Sequence, residues 1–154
     1  APLPAGRQVF LVEDEEVLLD TYARALRNAG YDVTGFARSN EAWKHLSRVR
    51  PNILVTDVVM HGITGLELAT LCRELHPEVP VLLVSGFIPD DDIGELNLGT
   101  WHRLDKPVRA ARLVATVGRL CRRAERARRG ELDITEVTYL FPPLDELVGD
   151  STLR

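Results

Sequence analysis

Short apolar runs alternate with stretches of helical periodicity along most of this chain, and that alternation restricts the fold more than any other feature. Gln8-Val9-Phe10-Leu11-Val12 has strand length. A helical pattern follows, with Leu18, Leu19, Tyr22, Leu26 and Ala29 on one face, and Gly30 ends it. Asp32 to Phe36 reads as a second strand, and Ser39 or Asn40 as the cap of a helix that carries Ala42, Trp43 and Leu46 and stops before Pro51. Asn52 to Thr56 is a third, buried strand. After a loop holding Met60, Gly62 and Gly65, a third helix spaces Leu66, Leu68, Ala69, Leu71, Cys72 and Leu75 and ends before Pro77. Val79 to Val84 is a fourth strand, Asp90 to Leu98 a weaker helix, and Thr100 to Leu104 a fifth strand. Val108 to Arg128 is a long helix with Leu113, Val117, Leu120 and Cys121 inward. Five such units need right-handed crossovers and a parallel sheet covered on both faces, a doubly wound (βα)5 domain of the α/β class.

Composition supports a packed core: 45% of the 154 residues are apolar and 27% charged, which excludes a disordered chain. The longest apolar runs fall far short of the roughly 18 residues a membrane helix requires. Residues 1–7 read as a flexible leader without a secretory pattern, and Cys72 and Cys121 both sit in helical patterns, so a reducing, cytoplasmic setting is expected. The chain does not begin with Met, which suits a trimmed or excerpted piece of a longer polypeptide and leaves open whether the domain stands alone. Net charge is −4, distributed unevenly: residues 131–154 carry −5, whereas Arg103 to Arg129 hold ten Lys or Arg and only two acids. The basic stretch reads as a solvated helix face. No zinc-finger spacing or aromatic RNA-binding signature accompanies it, so direct nucleic-acid binding is not expected.

In open parallel sheets the chemistry sits beyond the carboxyl ends of the strands. Glu13-Asp14-Glu15-Glu16 follows the first strand, Asp57 ends the third, Ser85-Gly86 follows the fourth and Asp105-Lys106-Pro107 the fifth. Glu13, Asp14 and Asp57 at one rim concentrate negative charge, which a hard cation bound by oxygen, Mg²⁺, would relieve. Such a cation commonly shares its shell with phosphate oxygens. Lys106 and Ser85 would add a positive charge and a hydroxyl donor for a phosphoryl group in flight, and Asp57 would be the attacking carboxylate.

These motifs, Leu11-Val12-Glu13-Asp14-Glu15, Leu54-Val55-Thr56-Asp57-Val58-Val59-Met60-His61-Gly62, Leu83-Val84-Ser85-Gly86-Phe87 and Leu104-Asp105-Lys106-Pro107, resemble in order and type those of the receiver domains of two-component response regulators. The resemblance spans about Gln8 to Arg123, and the Ser85-Gly86-Phe87 segment is similar to receivers fused to hybrid histidine kinases. It implies a flavodoxin-like fold with strand order 2-1-3-4-5. It also implies that Asp57 accepts phosphate from a histidine kinase or histidine phosphotransfer protein. Glu13, Asp14, Asp57 and the backbone carbonyl of Val59 would hold Mg²⁺, Ser85 would be the switch hydroxyl and Lys106 the phosphate-pairing lysine. A cis Lys106-Pro107 bond is usual in that family. Beyond its own phosphoryl transfer and slow self-dephosphorylation, no enzymatic activity is implied.

The sequence departs from the family pattern in several places. His61 stands where Pro is usual. Arg103 occupies the position of the aromatic switch, with Trp101 two residues earlier as its substitute or Arg103 itself signalling by charge. Asp90 to Gly99 is poor in core residues. Val59 and Phe87, beside Gly86, would line the approach of hydrolytic water, and both are apolar, so slow self-dephosphorylation is expected. The acidic extension 130–154 holds alternating residues over Glu131 to Phe141 that suit an extra strand, and docking on its own domain or in a homodimer is expected of it. A phosphorylation-independent receiver-like binding module is the alternative function. A phosphatase of the Asp-x-Asp type is disfavoured because its second acid would be Val59. Dinucleotide binding lacks a Gly-x-Gly, and Ser85 lacks the surroundings of a serine nucleophile.

Overall fold

The computed structural model describes residues 6–86 and 101–131. Five parallel strands, β1 (Gln8–Val12), β2 (Asp32–Phe36), β3 (Ile53–Asp57), β4 (Val81–Ser85) and β5 (His102–Asp105), pair in the order β2-β1-β3-β4-β5. Four helices lie among the described residues: α1 (Glu16–Asn28), α2 (Ser39–Leu46), α3 (Gly65–Leu75) and α4 (Ala110–Arg128). The helix expected over Asp90 to Leu98 and the strand expected within the acidic extension fall outside the described residues.

Successive strand residues point to opposite faces, so the apolar runs feed two cores at once. Phe10, Val12, Leu54 and Leu83 pack with Leu46, Leu68 and Cys72 of α2 and α3. Val9, Leu11, Val55 and Leu82 pack on the other face with Leu26 of α1 and Leu113, Val117 and Leu120 of α4. Each fully buried Leu contributes about 1.5–3 kcal/mol relative to exposure. These layers hold the sheet rigid and put the carboxyl ends of β1, β3, β4 and β5 along one rim.

Several local expectations are corrected. Ala29 and Leu75 are exposed, because each sits at the end of its helix, past the last turn that faces the sheet. Neither Ser39 nor Asn40 caps α2: Arg38 is the cap residue without a side-chain bond, and Ser39 lies inside the helix, its hydroxyl donating to the His61 carbonyl at 3.2 Å. The β3 and β4 strands start later than expected and end later, on Asp57 and Ser85 themselves, which places both side chains on regular sheet backbone. β5 likewise starts at His102 and ends on Asp105. At α3 the cap is a reciprocal box: Glu67 N–H donates to Thr64 Oγ1 and Thr64 N–H to Glu67 Oε1, both at 3.1 Å.

Gly65, the first residue of α3, touches the site directly. A Cβ there would lie 1.8 Å from the backbone oxygen of Asp57, while its N–H donates to the Val58 carbonyl at 2.9 Å. Only glycine lets α3 approach β3 this closely. Gly65→Ala is therefore expected to destabilise the fold by about 3 kcal/mol, the upper range for overpacking. Denaturant unfolding measures this, and a loss within error of zero would contradict it.

Cys72 and Cys121 are free and buried, and burial pushes their thiols up to about 12 and about 11 respectively. Both are expected to resist an aromatic disulfide reagent at about pH 8 in the folded chain and to react fully after unfolding. Rapid labelling of the native protein would contradict this burial.

Candidate phosphoacceptor site

The parallel register builds the site from strand ends. Val12 pairs opposite Phe36 and Thr56, Asp57 opposite Val84, and Ser85 opposite Asp105. Beyond β1 the ladder continues through Glu13 N–H, which donates to the Phe36 carbonyl at 3.0 Å. Beyond β5, Lys106 N–H donates to the Ser85 carbonyl at 2.8 Å. The backbone thus delivers Glu13, Asp57, Ser85 and Lys106 to adjacent positions, and the Lys106-Pro107 bond is cis, as the family resemblance implies.

Lys106 Nζ donates to Glu13 Oε1 at 2.7 Å and to Asp57 Oδ2 at 3.0 Å. Glu13 is only 2% exposed and Asp57 8%. Their remaining oxygens are engaged by backbone amides: Glu15 N–H reaches Glu13 Oε2 at 3.1 Å and Val58 N–H reaches Asp57 Oδ1 at 2.7 Å. Burial pushes the Glu13 carboxyl up, and the Asp57 charge adds to that. Hydrogen bonds from Lys106 and the Glu15 amide offset this only in part, so Glu13 stays above the usual carboxylate value. For Lys106 burial works against the ammonium, but the bonds to Glu13 and Asp57 outweigh it and raise the lysine above its ordinary value.

Asp14 completes an acidic group with Glu13 and Asp57, and one oxygen from each lies within 4.8 Å of the others. Oxygens bound to one Mg²⁺ at about 2.1 Å stand about 3 to 4 Å apart, so a modest closure suffices and the all-oxygen donor set suits a hard cation. Asp14 is exposed and brings its carboxylate from the solvent side. Val59, on the loop after Asp57, is 62% exposed. Ser85 is 1% exposed, and its Oγ has no hydrogen-bond partner among the described residues, an orphaned hydroxyl on the strand next to Asp57. Gly86 is exposed at the same rim, and Phe87 lies outside the described residues.

The two candidates for the missing aromatic separate. Trp101 precedes β5 and is buried, packed in the core with Leu83 and Val81. Arg103 is exposed on β5, its Nε 3.1 Å from Asp105 Oδ1. Sequence reasoning missed two supports: Gly65 against the Asp57 carbonyl, and the Glu13–Lys106 bond. The Thr64-x-x-Glu67 spacing next to Gly65 marked the start of α3, whereas nothing in sequence order pairs residues 13 and 106.

A family model of the response regulator receiver domain matches residues 9–118. The chain is 34% identical over 129 residues to the C4-dicarboxylate transport transcriptional regulatory protein DctD of Rhizobium meliloti, a stretch covering 82% of this chain and 27% of that protein. The response regulator receiver protein CpdR of Brucella abortus is 32% identical over 91 residues, covering 56% of this chain and 76% of that one. Among solved structures, a response regulator receiver protein from Sinorhizobium medicae superposes with a TM-score of 0.70 at 26% identity, covering 77% of this chain and 97% of that one. A CheY-like receiver domain from Methanospirillum hungatei gives 0.73 at 22% identity, over 80% and 99%. The chain belongs to the response regulator receiver domain family and is a phosphorylatable switch of two-component signalling. It spans about a quarter of the length of transcriptional relatives such as DctD. No helix among the described residues is long and apolar enough to cross a membrane.

Lys106→Met would leave two buried carboxylates facing each other without a cation. In buffer free of divalent ions the loss is expected to be about 2 kcal/mol at neutral pH, below the figure for a fully buried pair because the lysine keeps some solvent contact. The loss should shrink as pH falls, because Glu13, already raised, takes up a proton that relieves the repulsion. The wild-type contribution from Lys106 is full below the ordinary lysine value and is lost as pH rises through its raised folded value. Urea unfolding of both proteins across pH reads this, and equal stability at neutral pH would contradict it.

Proposed function

We propose that Asp57 is the phosphoacceptor, with Glu13, Asp14, Asp57 and the Val59 carbonyl holding Mg²⁺, and Lys106 and Ser85 contacting the phosphoryl oxygens. The observation that carries this reading is Lys106 Nζ held between Glu13 Oε1 and Asp57 Oδ2, an ammonium poised beside a carboxylate at a solvent-facing rim. Bound Mg²⁺ supplies charge neutralisation for the phosphoryl oxygens. An Asp57 carboxylate oxygen attacks the phosphorus of a donor phosphohistidine. A P–O bond forms as the P–N bond breaks, and the imidazole leaves and takes its proton from solvent. Lys106 then leaves its carboxylate partners in part to pair with the new charge, and the Ser85 hydroxyl, buried without a partner among the described residues, donates to it.

The donor is a histidine kinase or a histidine phosphotransfer protein. The output is a change in protein contacts, signalled through Ser85, the β5 residue Arg103 and Trp101 just before that strand. A cytoplasmic setting fits two free, buried cysteines. A phosphorylation-independent binding role is the second reading. It is favoured by Arg103, which is exposed and paired to Asp105 where an aromatic switch would act. Incubation with acetyl phosphate and Mg²⁺ followed by intact mass separates the two. One added phosphoryl group on the wild type and none on Asp57→Asn is expected, while no gain on the wild type would leave the binding role. Trp101 fluorescence should change on phosphorylation if β5 relays it.

Val59 is exposed on the loop after Asp57, and the family resemblance assigns Val59 and Phe87, both apolar residue types, to the approach of in-line water. Val59→Asn combined with Phe87→Lys is expected to speed loss of the phosphoryl group about tenfold, or ~1.4 kcal/mol on the barrier. Decay of the phosphorylated mass after removal of the donor checks this, and an unchanged rate would contradict it.

A further inference from the structure

The outer face of α4 carries an arginine stripe that the phosphoacceptor site does not use. Arg112, Arg119, Arg122, Arg126 and Arg129 recur at helical spacing opposite the buried Leu113, Val117, Leu120 and Ala124, and all five are exposed. Among the described residues Arg112, Arg119 and Arg122 have no acidic partner, since Glu125, the one acid of the helix, pairs with Arg7.

The chain leaves α4 in a way that returns it toward this stripe. Gly130 adopts a φ of 73°, its N–H donates to the Ala127 carbonyl at 3.0 Å, and Glu131 N–H donates back to the Arg126 carbonyl at 2.8 Å. This turn reverses the backbone across the helix end. Glu131 is the first acid of the extension and already lies on the stripe: Arg129 grips both its oxygens at 2.7 and 3.1 Å, and Arg126 Nε stands 3.9 Å away. Asp133 and Glu136 follow at once, and residues 131–154 carry −5 in all. Arg112 to Arg126 span about 21 Å of helix axis, a distance that about seven extended residues cover. The chain after Glu131 is more than long enough.

We propose that the acidic C-terminal extension docks in cis along the arginine stripe of α4, with Asp133 and Glu136 continuing toward Arg122 and Arg119 the pairing that Glu131 begins. The occupied face is then closed to other acidic partners until the extension is displaced, so the extension is an internal competitor for a surface separate from the phosphoacceptor rim.

A spin label on Thr138→Cys in the full chain tests this. Cys72 and Cys121 are buried, so the new thiol takes the label. The expected result at low salt is broadening of the backbone amides of Arg112 to Arg126. It should be lost at about 0.5 M salt, where screening acts within about 4 Å. It should also be lost in Arg119→Glu with Arg122→Glu, and return when Asp133→Lys and Glu136→Lys are added to the same chain. Dispersed amide spectra confirm that each variant folds. The proposal is overturned by an unbroadened α4 at low salt, by broadening that survives charge reversal, or by broadening transferred between spin-labelled and spin-free chains in a mixture, which would place the extension on a second copy.

Discussion

A half-buried lysine ammonium shared by two carboxylates organises the rim of this protein. Glu13 and Asp57 are nearly inaccessible to water, and two such acids side by side would be driven to protonate or to splay apart. Lys106 bridges them and holds them in place, and backbone amides of residues 15 and 58 take the other oxygens. One ammonium leaves these two carboxylates with a surplus negative charge, to which Asp14 adds on the solvent side, and the Ser85 hydroxyl has no partner among the described residues. A cation would relieve that surplus and a phosphoryl group would give the hydroxyl an acceptor, so the donor set suits a site with two charge states.

The sheet is what makes that geometry reproducible. Each residue of the cluster ends or directly follows a strand, and the parallel ladders fix their relative heights to within a hydrogen-bond register. Two apolar layers press the sheet from either side, so displacing one strand end disturbs both cores. The tightest point is Gly65 against the Asp57 carbonyl, where α3 is packed directly on the backbone that carries the Asp57 carboxylate. Shifts at Asp57 would thereby be felt by α3.

Much of this was legible in the sequence because both signals involved are local. Alternating apolar runs mark the strands, and polar residues just past them mark the rim, so Glu13, Asp14, Asp57, Ser85 and Lys106 could be gathered before any coordinates. What was not legible depends on contacts between distant segments. Ser39 has the chemistry of a cap but is used inside α2 to hold the loop at His61. Trp101 and Arg103 share an alternation pattern, yet one lies in the core and the other faces solvent, because β5 begins only at His102. The lysine's hold on Glu13 spans most of the chain and leaves no trace in composition or spacing.

The central claim is that these carboxylates are arranged around a cation site. Calorimetric titration of Mg²⁺ into the wild type, Glu13→Gln and Asp14→Asn tests it most directly. The account predicts stoichiometric uptake by the wild type and weakened or absent uptake by both variants. No uptake by the wild type, or uptake undiminished by either substitution, would contradict it.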